Sequence, residues 1–312
     1  MTRQDLEQAR IRMYEKLDLA KPILVVSGVV AGIFIAIAAL NLADIINIPF
    51  HPREVTAPVK RGLNFIVIAI LIMIGPYGFY LFKKQRDVSA IETRLPDFLR
   101  DVAEAGRFGM TLAEAIVVAS SGRYGKLTDE IEKMAAQIQW GVPATEALRL
   151  FNERVKTPMV GRVVSIIVKS SDAGGDVADV LTMVSHDAKE TQLTETERKI
   201  AMTTYIAVIY ISFFVFLVTI AILNATFLPK MLEASQSLGA TGTGSTGGVE
   251  SPLAADLPSV IFNVQLAFFL AAIIHAVGDG LLAGVLDNGQ IANGLRHSFI
   301  MLLIGFGLLL FI

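Results

Sequence analysis

Five stretches of the chain run almost without polar interruption. Ile23 to about Leu42 and Gly62 to Phe82 carry no charge. About Ala201 to Leu228 is likewise uncharged, and about Leu257 to Leu286 holds one acid, Asp279. The last, His297 to Ile312, has 16 residues. A membrane-spanning helix needs about 20 predominantly apolar residues. The first four stretches meet that length, and the fifth spans with local thinning or snorkelling. The pattern therefore predicts five transmembrane helices.

Residues 1–21 are different. Leu6, Ala9, Met13, Leu17 and Ala20 share one helical face among charged neighbours, which predicts an amphipathic helix lying along the membrane. Basic residues then set the orientation. Arg3, Arg10, Arg12, Lys16 and Lys21 precede the first span, Lys83, Lys84 and Arg86 follow the second, and Arg198 and Lys199 precede the third. Residues 229–256 have a single basic residue, Lys230. The N-terminus and residues 83–200 are thus expected in the cytoplasm of a multi-pass protein of the cell membrane. The segment 229–256, with its low-complexity run from Gly239 to Gly248, is expected to be a flexible external loop. The loop from Ala43 to Arg61 then lies outside despite Arg53, Lys60 and Arg61.

Residues 83–200 show no strand alternation. They read as a helical bundle of about six helices, followed by one span at 201–228 and two at 257–312. Pro96 suits a first helical turn, Thr111 and Glu114 form a capping box, and Thr157-Pro158 opens a helix to about Asp172. An internal echo recurs at intervals of about 32 residues. Gly109, Gly141 and Gly174 are followed five residues later by Glu114, Glu146 and Asp179, then by apolar side chains. Each glycine is expected to end a helix in the left-handed conformation, with each acid in the first turn of the next. No glycine or proline occurs from Asp176 to Leu228, so one helix of about 80 Å is predicted to run from the bundle into the third span.

Composition agrees with the spans. Hydrophobic residues make up 53% and charged residues 18%, and the mean hydropathy is +0.58. The net charge of −2 disfavours a nucleic-acid binder. The chain has no cysteine, which excludes disulfides, thiol nucleophiles and Cys-ligated metals. No catalytic, cofactor-binding or metal-binding constellation is found. Gly125-Lys126 lacks both the following Ser or Thr and the leading glycine of a P-loop.

Several features remain as candidates. His275 and Asp279 are spaced i, i+4 in the fourth span, toward its inner end, and form an intramembrane polar pair. They are expected to fix helix packing, with a proton or ion relay as the alternative. Gly28-x-x-x-Gly32 and Gly280-x-x-x-Gly284 each permit close helix approach, within the chain or between chains. From Lys83 to Ser170 the charge is +3 and from Ser171 to Ile200 it is −4, a polarity suited to docking a soluble partner.

The residues that open and close the soluble segment carry a resemblance. Arg94-Leu-Pro-Asp-Phe-Leu-Arg-Asp-Val-Ala-Glu-Ala-Gly106, the two glycine turns that follow, and Ser170-Ser-Asp-Ala-Gly-Gly-Asp-Val-Ala-Asp-Val-Leu181 resemble the type II secretion system F domain. The run from Gly289 to Ser298 looks most like the archaellum and archaeal type IV pilus branch, assembly protein J. The resemblance implies a non-enzymatic platform without cofactors. It would dock a hexameric secretion ATPase and couple its motion to insertion of pilin-like subunits into a filament. Its expected partners are the ATPase, pilin-like subunits and membrane lipid, with no nucleic acid. Alternatives are a Tad-type or type II secretion platform, or a membrane transporter. Many members carry two F domains and this chain shows one, which implies a homodimer or a heterodimer. The basic residues Lys83, Lys84, Arg86, Arg123 and Lys126 are the expected ATPase contacts.

Overall fold

The structure is a computed structural model, and it describes residues 20–46, 58–231, 233 and 252–311. Among these residues the regular structure is helical throughout, with short turns between helices and no strand. All but the last two residues of the predicted amphipathic segment 1–21, most of the loop 43–61 and most of the segment 229–256 lie outside the described residues.

Ten α-helices follow in order: α1 (Ala20–Leu42), α2 (Pro58–Glu92), α3 (Leu95–Arg107), α4 (Leu112–Ala119), α5 (Thr128–Gln139), α6 (Ala144–Val155), α7 (Pro158–Asp172), α8 (Val177–Ile222), α9 (Pro252–Asn288) and α10 (Ile291–Phe311). Five helices are long and apolar enough to cross a membrane, and the protein is a multi-pass membrane protein. The described residues form two compact units. One is Lys83–Ile200, and the other joins the residues up to Phe82 with those from Ala201 onward. Helices α2 and α8 each continue from one unit into the other.

The unit from Lys83 to Ile200 is built from helical hairpins around one core. On α3, Leu95, Phe98, Leu99 and Val102 repeat at helical spacing and are fully buried. Ile116, Leu127, Ile131, Met134, Phe151 and Ile167 complete the centre from α4 to α7. Each such side chain contributes about 1.5–3 kcal/mol when taken out of water. The ends of the helices follow local chemistry. The Thr111 hydroxyl accepts from the Glu114 N–H while the Glu114 carboxylate accepts from the Thr111 N–H, closing the capping box. Thr157 accepts from the Val160 N–H ahead of Pro158. Gly109, Gly141 and Gly174 have φ of 84°, 90° and 69°, the left-handed turn that their echo predicts.

Contacts fix the helix directions in this unit. Arg154 near the end of α6 meets Glu130 at the start of α5, and Arg149 on α6 meets Asp172 at the end of α7. Arg162 on α7 meets Asp187 on α8. A Cβ on Gly106 would lie 3.0 Å from Ala178, and Ser185 donates to the Pro96 carbonyl, so α3 and α8 are antiparallel. The C-termini of α3, α5 and α7 therefore gather at one end.

In the second unit Val67, Leu71, Phe213, Leu217, Ala272, Ala276, Met301, Leu302 and Phe306 form the core. The tightest packing joins α9 to α10. Gly280 sits against the backbone of Ser298, and Gly284 against that of Gly294. The Gly280-x-x-x-Gly284 motif is thus spent within the chain. Gly28 and Gly32 have nothing within 4 Å of a built Cβ. Pro76 lies inside α2, where Gly75 makes room for the Phe299 ring and Gly78 for the backbone of Leu295 and Arg296.

Two elements depart from the sequence reading. The fifth span starts at Ile291, not His297, and so reaches 21 residues, enough to cross without thinning. Arg296 and His297 are carried inside the helix because other helices supply their partners. The long helix is α-helical over 46 residues from Val177 to Ile222, then turns π-helical over Leu223–Phe227.

Candidate functional site

The soluble unit is polarised along its helices. One end holds the turns after α3, α5 and α7, where α4, α6 and α8 begin. Phe108 caps α3 and Trp140 caps α5, each directly before its left-handed glycine. They are 85% and 89% exposed, although both are large aromatic side chains. Around them, residues 104–114, 137–149 and 169–179 hold six carboxylates and three cations. Glu114, Glu146 and Asp179 sit in first turns, where the helix dipole favours a negative charge. Backbone and side-chain hydrogen bonds from Thr111 hold the Glu114 carboxyl below its ordinary range.

The opposite end is where α2 arrives and toward which α8 runs. Residues 83–97, 120–130 and 152–162 hold nine cations and six carboxylates. All five basic residues expected to contact an ATPase lie here. Lys83, Lys84 and Arg86 are on α2, Arg123 is in the turn after α4, and Lys126 is in the 3₁₀ turn before α5. Lys126 forms an ion pair with Asp87, so the structure joins the α2 group to the turn. The Asp87 carboxyl is held below its ordinary range, chiefly by the Lys126 hydrogen bond. The Glu92 carboxylate accepts from the Met159 N–H and ties α2 to the start of α7. Behind the turn, the Tyr124 hydroxyl donates to Asp101 at 2.6 Å and lies 3.0 Å from the Ala119 carbonyl. Burial and then the Asp101 hydrogen bond push its ionisation far above the ordinary range.

The second unit contains two polar clusters. His275 and Asp279 do pair, Nε2 to Oδ2 at 3.3 Å, with the imidazole against the Phe216 ring at 4.5 Å between centroids. The second cluster joins residues that the sequence reading did not single out. The Arg296 guanidinium stacks over Phe82 at 3.8 Å, lies 3.7 Å from Asp287 and reaches His297 Nε2 at 2.9 Å. A guanidinium only donates, so Nε2 accepts and the ring proton sits on Nδ1. Nδ1 then donates to the Tyr210 oxygen at 2.8 Å. Four helices meet through these five side chains, α2, α8, α9 and α10. A basic pair opening an apolar run is the only trace of this cluster in the sequence. For Phe108 and Trp140 a clearer trace exists, an aromatic before the glycine in two copies of the echo.

Among the described residues no group of three or more His, Asp or Glu side chains is placed to hold a metal. The arrangement consists of two ends of opposite charge balance on the Lys83–Ile200 unit and of interhelical clamps in the second unit.

Comparison with known proteins places these features. An uncharacterised protein of Methanocaldococcus jannaschii is 30% identical over 258 residues, which cover 80% of this chain and 39% of that relative. The chain thus spans well under half the length of the curated relative it matches. No solved structure matches significantly. Residues 98–225, from α3 through the hairpins and along α8 into its π-helical turn, match the family described as Type II secretion system (T2SS), protein F, and the chain carries that family's domain.

Proposed function

We propose that this protein is a membrane platform for assembly of a type IV pilus-like filament, of the archaellum or archaeal pilus kind. In this reading residues 83–200 face the cytoplasm and dock a hexameric secretion ATPase. Motion driven by ATP passes along α8 to the spans, where pilin-like subunits leave the bilayer. The match of residues 98–225 to the T2SS protein F family supports the class. One observation carries the coupling. Helix α8 starts in the hairpin bundle and continues for 46 residues into an apolar span. At 1.5 Å per residue it is about 69 Å long. Its hydrogen-bonded backbone carries a displacement without a hinge.

The orientation rests on the basic flanks of the spans. In this reading the platform is a homodimer, or a heterodimer with a second F-domain protein.

The test uses full-length protein in detergent and the secretion ATPase from the same genome. Capture of the ATPase with a rise in ATP turnover is the expected result. Neither capture nor a change in turnover, with or without nucleotide, refutes the reading.

A further inference from the structure

We infer that the end of the soluble unit carrying Phe108 and Trp140 is the docking face for the partner, and that the partner presents a basic surface there. This rests on the platform reading for the partner's identity and goes beyond it in placing the contact.

Three observations converge. The first is exposure. Trp140 and Phe108 are the most exposed large hydrophobic side chains among the described residues, and they stand on turns, not on the apolar spans. Leaving a tryptophan and a phenylalanine in water forfeits burial energy that a partner can recover. Tryptophan is also the commonest kind of binding hot spot. The second is direction. Within this unit α3, α5 and α7 run parallel and α8 runs antiparallel to them, so both aromatics share the end at which α8 begins. The opposite end holds nine cations, of which Lys83, Lys84 and Arg86 directly follow an apolar run along α2 and suit anionic headgroups. The third is charge. Six carboxylates against three cations surround the aromatics, and several carboxylates project from first turns. Arginine and lysine on a partner would meet both kinds of group, the ring faces through cation–π contact and the carboxylates through ion pairs.

Trp140 is the sole tryptophan of the chain. Full-length protein labelled with fluorotryptophan therefore gives one fluorine resonance that reports on this turn alone. The probe is the secretion ATPase of the same genome, added to the labelled protein in detergent, with affinity measured in parallel. The expected result is a shift of that resonance on binding and weakening by more than about tenfold in the Phe108→Ala, Trp140→Ala double variant. Glu146→Lys with Asp179→Lys should weaken binding further, and added salt should weaken the wild type. Both aromatics are exposed, so circular dichroism should show an unchanged fold. Binding with an unmoved resonance and an unaffected double variant overturns this inference and leaves the platform reading intact. Loss of binding only on reversal of Lys83, Lys84, Arg86, Arg123 and Lys126 to Glu overturns it in favour of the basic end. A wild-type protein that captures no ATPase overturns both.

Discussion

Gly284 and Gly294 meet so closely that neither position has room for a side chain. A Cβ on Gly284 would collide with the Cα of Gly294, and one on Gly294 would stand 2.6 Å from the Cα of Leu281. The contact is backbone against backbone, so no rotamer change relieves it. Gly284→Leu is expected to destabilise the full chain by about 1–3 kcal/mol or more through overpacking. Gly32→Leu is the internal control, because nothing lies within 4 Å of its Cβ. It should change monomer stability by less than about 0.5 kcal/mol. Thermal unfolding of the two variants in the same detergent measures both. Equal losses would show that the two motifs do the same job.

This pair also shows where the sequence stops speaking. Both G-x-x-x-G motifs sit on apolar helices, and spacing alone ranks them equally. What separates them is a glycine and a serine on another helix, Gly294 and Ser298, which only the fold brings into register. The soluble unit was more legible. On α3 the positions Leu95, Phe98, Leu99 and Val102 announce their face by period, and the caps at Thr111 and Thr157 act within three residues of themselves. The fifth span shows the opposite limit. A count of charges begins it after Arg296, yet the helix begins at Ile291. The charge is tolerated because Asp287 and the Phe82 ring stand beside it, the ring more than two hundred residues earlier. His297 and Tyr210 are likewise 87 positions apart. Short-range chemistry is readable along the chain, whereas partners joined across helices are not.

The pairing of His297 with Tyr210 leads to a second expectation. His297 is buried, and its Nδ1–H has the Tyr210 oxygen as acceptor. Tyr210→Phe keeps the ring and removes the acceptor. A buried donor left unmatched costs about 1–3 kcal/mol. Thermal unfolding of full-length protein should show that loss. His297→Phe in the same background should restore part of it, since both polar partners are then gone. Additive losses in the double variant would mean that the bond contributes nothing.

Glu130 makes acid stability testable in the soluble unit. Burial raises its carboxyl pKa, but hydrogen bonds from Lys133 and Arg154 outweigh that and hold it below the ordinary 4.5. A carboxyl depressed in the folded state stabilises the fold above its unfolded value and loses that contribution as pH falls through the folded value. The window thus opens near pH 4.5 and extends downward. The Arg154 and Glu130 side chains are 14% and 16% exposed, so solvent screens them only partly. Glu130→Gln should lower stability at neutral pH by about 1–2 kcal/mol, between the values for surface and buried pairs. Below pH 4 the difference from wild type should shrink. A difference that stays constant across the acid range would assign the effect to packing.

Lys156 offers a change in the stabilising direction. It caps α6 with φ of 52°, a left-handed conformation that costs a residue with a Cβ about 1 kcal/mol. Its own N–H donates to the Asn152 carbonyl, which closes the helix and fixes the turn into Thr157. Lys156→Gly keeps that hydrogen bond and removes the Cβ conflict. Glycine also gains more freedom in the unfolded chain, so the net gain should be a few tenths of a kcal/mol up to about 1. Lys156→Val should move the other way by a larger amount, because a β-branched side chain is the least tolerant of positive φ. At Gly141 the same argument runs in reverse. Its φ is 90° and a Cβ there meets nothing within 4 Å, so any loss in Gly141→Ala reports backbone strain alone. That loss should be about 1–2 kcal/mol. Thermal unfolding of the three variants then separates conformational strain from contact. If Gly141→Ala were neutral, the left-handed turn beside Trp140 would not depend on glycine, and the echo that marks it in the sequence would lose its physical basis.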